Sequence, residues 1–141
     1  MPGSPATPCH DPVRPADDAG FLESASRILF MGGLNRQVVD NKWPAFREVF
    51  HGFDPARVAA MTPADVDRLM DDARIIRNRK RIEAVVVNAE TMAALASAHG
   101  SFAVWLDALF AARGVDGAAK TLADQFAYIS EAGARNWLYA T

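Results

Sequence analysis

Apolar residues recur along most of the chain at the three- and four-residue spacing of amphipathic helices. Phe21, Leu22, Ala25, Ile28 and Leu29 form the first such stripe, which Gly32-Gly33 interrupts. Leu34, Val38 and Val39 predict a second short helix ending near Lys42. Trp43-Pro44 predicts the start of a third, because proline is tolerated in a first turn; Phe46, Val49 and Phe50 supply its apolar side and Gly52 ends it. Asp54-Pro55 and Thr62-Pro63-Ala64-Asp65 are helix starts, each a capping side chain followed by a first-turn proline, the second with an acid at the capping-box position. After a turn at 71–78, a long helix carries Ile82, Val85, Val86, Ala89, Met92, Ala93 and Ala96 on one stripe and stops at Gly100. Ser101 caps a helix with Phe102, Trp105, Leu106 and Leu109; 114–117 is read as a loop; helices over 121–131 and 134–140 finish the chain. No strand pair with a turn signal occurs. The pattern predicts an all-α fold, a compact bundle of seven or more short helices with no internal repeat. Trp43, Phe46, Trp105 and Trp137 are read as core residues.

Half of the 141 residues are hydrophobic and 23% are charged, enough apolar surface for one domain with a real core and against disorder as the main state. Residues 1–18 differ: five of the eight prolines lie there, so that segment reads as a flexible leader and 19–141 as a single helical domain. The N-terminus lacks the basic and apolar regions of a secretion signal, and no apolar run reaches the length of a membrane span. A single cysteine, Cys9, cannot form an internal disulfide, and a reducing, cytoplasmic setting is expected. The net charge of −2 does not advertise nucleic acid, so any such function must rest on a local patch.

One patch stands out. Five of the eight residues from Arg74 to Arg81 are basic, a third of the chain's fifteen lysines and arginines. The run joins a capped helix to a long one, so the first amides of the second helix, the positive end of its dipole and several cations meet at one turn. That combination grips a phosphate. Arg77, Asn78, Arg79 and Lys80 are the phosphate-contact candidates; the bland alternative is a solvated charged face partly neutralised by Asp71, Asp72 and Glu83.

The stretch from Lys42 to Met61, with its Phe53-Asp54-Pro55 and Val58-Ala59 strings, resembles the DNA-3-methyladenine glycosylase I family. So do Asp65 to Met70, Ile75-Ile76-Arg77-Asn78-Arg79, Ile82-Glu83-Ala84 and Asn88-Ala89. The match is good over about residues 28 to 110 and weaker beyond. The resemblance implies a helix-hairpin-helix DNA-binding element, double-stranded DNA as partner, and hydrolysis of the N-glycosidic bond of an alkylated base flipped from the duplex, without cofactor or lysine nucleophile. A monomer is expected. Asn35 and Arg36 follow the Gly33-Leu34 pair around which the family builds its base pocket, and Lys42 stands where the family has a basic residue.

The sequence departs from the family pattern at informative places. The Glu five residues before the Gly-Leu pair falls on Ile28, and the Trp two residues after it falls on Arg36. An arginine can stack on a base, but it repels a cationic one. No catalytic residue is therefore assigned. Cys9 and His10 have no C-terminal Cys or His to complete the family's zinc site, so no metal is expected. Arg74 replaces the glycine that precedes the Ile-Ile-Arg-Asn-Arg string, and a reshaped hairpin is expected. Glu23, and the pair Asp40 and Glu48, are weak alternatives for acid–base work. The rival readings are a catalytically silent relative that recognises damaged or abasic DNA, and a partner-binding helical domain.

Overall fold

A computed structural model describes Pro15, residues 17–32 and residues 35–140. Most of the leader, with Cys9 and His10, and the Gly33-Leu34 pair lie outside the described residues. Seven α-helices follow in order: α1 (Asp18–Met31), α2 (Arg36–Val49), α3 (Pro55–Ala59), α4 (Pro63–Met70), α5 (Arg79–His99), α6 (Phe102–Gln125) and α7 (Glu131–Ala140), with a 3-10 turn over His51–Phe53. The described residues contain no strand. No single helix among them is long and apolar enough to cross a membrane.

The cap signals act as the sequence predicts. Asp54 accepts from the Ala56 amide, Ser101 from Val104, and Thr62 and Asp65 form a reciprocal capping box. Asp17 caps α1, which starts at Asp18, so the helical domain begins one residue inside the segment read as leader.

Helix α5 runs through the middle, with α3 and α4 on one side, α1 on another and α6 crossing beyond it. Its buried residues are Ile82, Ala84, Val85, Asn88, Ala89 and Met92. One aromatic group, Phe30, Trp43, Phe46, Phe50 and Phe53, fixes α1 against α2 and the 3-10 turn, with Trp43 stacked on Phe53 at 5.4 Å. A second, Phe21, Phe102, Phe126 and Trp137, joins the start of α1 to α6 and α7. Trp105 is half-buried at the rim of the second group rather than inside it.

Two predicted breaks are not breaks of that kind. The helix over Leu34–Lys42 and the one from Trp43 are a single helix, α2, with Pro44 inside it. Trp43 and Phe46, both buried, lock the helix on either side of the proline, and their packing outweighs the lost hydrogen bond. The loop at 114–117 reduces to one non-helical residue, Gly114 (φ 69°, ψ −173°), and α6 resumes at once. That φ suits glycine alone without strain. Helix α6 ends at Gln125, so 126–130 is a connection that turns at Ala127-Tyr128 instead of helix.

Asn88 explains how that connection is held. It is 1% exposed; its amide donates to the Ala127 carbonyl (3.1 Å) and its carbonyl accepts from the Ala127 amide (2.7 Å). The side chain thus stands in for a strand neighbour. Replacing Asn88 by Leu strands both backbone groups and is expected to cost about 2–4 kcal/mol, read as a lower midpoint in urea unfolding with unchanged slope.

Candidate functional site

Two neighbouring features make the candidate site: the basic hairpin between α4 and α5, and an open cleft of about 730 Å³ beside it. Arg81, on the first turn of α5, joins them. Its guanidinium donates to the carbonyls of Leu29 and Gly32 (the latter 2.7 Å) at the C-terminal end of α1 and lies 5.9 Å from the centre of the Tyr128 ring. It therefore satisfies carbonyls that the end of a helix leaves free, and sits at the face of an aromatic ring.

In the hairpin, Ile75 is buried and plugs the turn into the core. Asn78 is the N-cap of α5, its side chain accepting from the Arg81 amide at 3.2 Å. The amides of Arg79 and Lys80 have no hydrogen-bond partner among the described residues. Asn78 thus shapes the turn, and the free amides at the positive end of α5 are its neighbours'.

The cations of the run are not equivalent. Arg74 is held by Asp72 and Glu48, which raise its pKa. Arg79 is held by Asp67, with Glu83 at 3.6 Å, and its pKa too is raised, chiefly by the Asp67 hydrogen bond. Arg77 and Lys80 are exposed and have no ion-pair partner among the described residues. Lys42, half-buried on α2, donates to the Ala73 carbonyl at 3.3 Å and so ties α2 to the hairpin. The expected reshaping at Arg74 does not require a left-handed residue: Arg74 is not among the residues with positive φ. Its amide instead donates to the Asp72 carboxylate at 2.9 Å, closing the turn by a side chain.

The cleft is lined by Ile28 and Met31 of α1, Gly32, Arg36 at the start of α2, Tyr128 and Ser130 of the connection, and Ala132, Gly133 and Asn136 of α7. Ile28 and Arg36, the positions onto which the family's Glu and Trp fall, both face it. Asn35, the other pocket candidate, is not among the lining residues; it is the N-cap of α2, accepting from the Gln37 and Val38 amides at 2.8 and 3.3 Å. Gly133 lets α7 close on α1: a Cβ there would meet Ile28 Cγ2 at 3.3 Å. Tyr128 is 54% exposed and holds a left-handed backbone (φ 59°), an uncommon and costly state for an aromatic residue. The Asn88 bridge to the preceding residue helps fix it there.

The weaker carboxylate candidates are engaged elsewhere. Glu23 accepts from Trp43 Nε1 (2.8 Å) and from Arg47 (2.5 Å), Asp40 pairs with Arg27, and Glu48 pairs with Arg74. No Asp or Glu is among the described residues lining the cleft. Nor do three His, Cys, Asp or Glu side chains converge anywhere among the described residues to hold a metal ion, so these residues do not provide the zinc site that the resemblance implies. Sequence reasoning missed Arg81 as a link and Tyr128, Ser130 and Asn136 as lining. The position of Arg81 at the end of the basic run was a usable signal; nothing local marked the others.

The Arg74 side chain, then its amide, hold the Asp72 carboxyl down to about 2. A carboxylate depressed on folding contributes stability above its ordinary value of 3.8 that is lost as pH falls through about 2. Carboxyl titration followed by NMR is expected to give a midpoint near 2 for Asp72, moving up towards 3.8 in Arg74→Ala.

Comparison with known proteins places this geometry. The family model for methyladenine glycosylase matches residues 13–134. DNA-3-methyladenine glycosylase 1 of Escherichia coli (strain K12) is 49% identical over 78 residues, covering 50% of this chain and 42% of that protein. The stretch matched in that curated relative is thus less than half its length. A crystal structure of 3-methyladenine DNA glycosylase I superposes with a TM-score of 0.79 at 27% identity, over 91% of this chain and 80% of the other. A structure of a variant of such an enzyme in complex with 3-methyladenine gives 0.80 at 25% identity, over 93% and 81%. With the family model matched over 122 of its 141 residues, the chain belongs to the methyladenine glycosylase family.

Proposed function

We propose that this protein is a monofunctional DNA glycosylase that hydrolyses the N-glycosidic bond of an alkylated, 3-methyladenine-type base flipped out of duplex DNA. The observation that carries this reading is the junction at Arg81, which sets a phosphate-gripping hairpin directly beside a cleft lined by the residues that align with the family's base pocket.

Each part has a physical task. The free first-turn amides of α5, with Arg77 and Lys80, hold the DNA backbone without reading sequence. Tyr128 offers an exposed aromatic face for the extruded base. Ile28 and Met31 give an apolar floor, and Ser130, Asn136 and Arg36 offer polar groups to its edges. An N-alkylated purine is already a good leaving group, so extrusion, stacking and admission of water to the sugar carbon carry most of the task. Asn35 shapes the mouth of this pocket as the cap of α2, and Lys42 supports the hairpin from behind. The protein acts as a monomer on double-stranded DNA, in the cytoplasm.

A second reading is favoured by one observation. With Ile28 and Arg36 in place of a carboxylate and an indole, the cleft lacks the groups the family pattern directs at a methylated base. A relative that binds damaged or abasic DNA without cleaving it retains the same hairpin.

Phosphate contacts make affinity fall steeply with salt. Replacing Arg77 and Lys80 together by Ala is expected to weaken duplex binding and reduce the slope of log affinity against log salt by about 2. Arg79→Ala, which removes a cation already held by two carboxylates, changes that slope less. Equal slopes in all three proteins would exclude the hairpin as the grip.

Base release decides between the two readings. Incubation with N-methylated duplex DNA and chromatography of the freed bases is expected to show 3-methyladenine above a no-enzyme control. Binding without release of any base would establish the silent relative.

A further inference from the structure

We infer that the cleft also serves a second class of damaged base, one that is neutral in the nucleotide and leaves as an anion, and that Arg36 is the residue that confers this selectivity. The inference rests on the glycosylase reading above.

The electrostatics of the lining point one way. Among the described residues lining the cleft, Arg36 carries a full charge and none carries the opposite one. Arg36 is exposed and has no hydrogen-bond or ion-pair partner among the described residues. Its surroundings do not cancel it. Asp40, one turn further along α2, is taken by Arg27; Glu23 is taken by Trp43 and Arg47. Glu131, in the first turn of α7, is exposed and does not line the cleft. Helix ends of both signs meet at the cleft: the C-terminal end of α1, at Met31 and Gly32, is partly negative, and Arg81 takes the carbonyls of Leu29 and Gly32 there. Arg36 is the first residue of α2, Ala132 and Gly133 lie in the first turn of α7, and helix starts carry partial positive charge. Arg81 adds a second guanidinium against Tyr128.

That field acts oppositely on two kinds of lesion. In either hydrolysis the water oxygen bonds to C1′ of the sugar, the C1′–N bond breaks, and its electron pair stays on the base nitrogen. The water also gives up a proton, which goes to solvent when a cationic base leaves neutral and is taken up by the base when a neutral one leaves as an anion. An alkylated purine starts as a cation and leaves neutral, so Arg36 opposes its entry and gains nothing from its departure as a neutral base. A neutral lesion starts uncharged and leaves as an anion, which takes up the proton afterwards. A guanidinium lining the cleft stabilises the negative charge as it develops, which raises kcat/KM. A purine bearing a ring carbonyl also offers acceptors to the planar donors of Arg36. Deaminated adenine, that is hypoxanthine, has both properties and is the probe.

The test compares release from two duplexes at one salt concentration, one holding a single hypoxanthine and one methylated to carry 3-methyladenine. Wild type, Arg36→Gln and Arg36→Lys are measured, and circular dichroism checks that each is folded. Arg36 is exposed and unpaired among the described residues, so the fold is expected to survive both changes. Loss of a general attraction for phosphate would lower both reactions alike, so the ratio of the two kcat/KM values is the readout. Wild type is expected to release hypoxanthine. Arg36→Gln is expected to lower that kcat/KM by about tenfold, less than the loss of a preorganised, water-excluded donor because Arg36 is exposed, and to raise it for 3-methyladenine. Arg36→Lys, which keeps the charge without the planar fork, falls between. Release of 3-methyladenine alone, or a ratio unmoved by Arg36→Gln, would overturn this inference and leave the glycosylase reading standing. Release of neither base by folded protein that binds duplex would overturn both.

Discussion

Helix α5 fixes the candidate site through two polar side chains, and the remaining geometry depends on them. Asn88 closes both backbone groups of Ala127, and Arg81 closes carbonyls of Leu29 and Gly32. Apolar packing alone would leave these segments underdetermined, since neither the end of α1 nor the 126–130 connection has a helical partner for its polar atoms. A buried backbone group without a partner is costly, so each side chain dictates one position for the segment it holds. Residues of both segments line the cleft. The same helix begins in the basic hairpin, so seven residues, or about two turns, separate the two anchors, and a rigid element sets the distance between backbone grip and base cleft.

The charge arrangement follows a consistent division. The hairpin has five cations, but Arg74 and Arg79 brace the turn against Asp72, Glu48, Asp67 and Glu83, and Arg81 braces α1 and Tyr128. Arg77 and Lys80 remain for an external anion. An exposed ion pair contributes little to stability, yet several of them together keep the turn's backbone in one shape. That shape leaves the first amides of α5 open. The basic run is thus partly scaffold, and its count of charges overstates its reach.

The sequence carried most of the fold because its signals were local. The caps at Asp54, Thr62 and Ser101 and the stripe on α5 need no knowledge of distant residues. Pro44 misleads because a proline reads as a start, whereas Trp43 and Phe46, packed on Phe53 and Phe30, hold the helix through it. Gly114 misleads in the other direction, because one left-handed residue bends a helix without making a loop. The site was legible in part. Arg36 was identified from its distance to Gly33-Leu34, and it faces the cleft. The partners of Arg74 and Arg79 lie up to 26 residues away and could not be paired by spacing. Tyr128 gave no signal, since its exposure and left-handed backbone arise in a turn whose first residue, Ala127, is held by Asn88, 39 residues away.

The two departures at Ile28 and Arg36 are best understood together. A carboxylate and an indole in those places would suit a cation, one by charge and the other by its π face. With both absent, and a guanidinium at the aligned position of the indole, the cleft lining holds a positive group and no carboxylate. Ile28 packs against the backbone of α7 at Gly133, where a charged side chain would have to be desolvated, and Arg36 stands at the mouth in water. A Cβ at 133 would meet Ile28 Cγ2 at 3.3 Å, close enough that a neighbouring side chain would have to give by a few tenths of an ångström. The apolar member of the pair therefore packs between the two helices, the charged member stands at the cleft in solvent, and the frame that Asn88 and Arg81 hold makes no contact that depends on the charge at position 36.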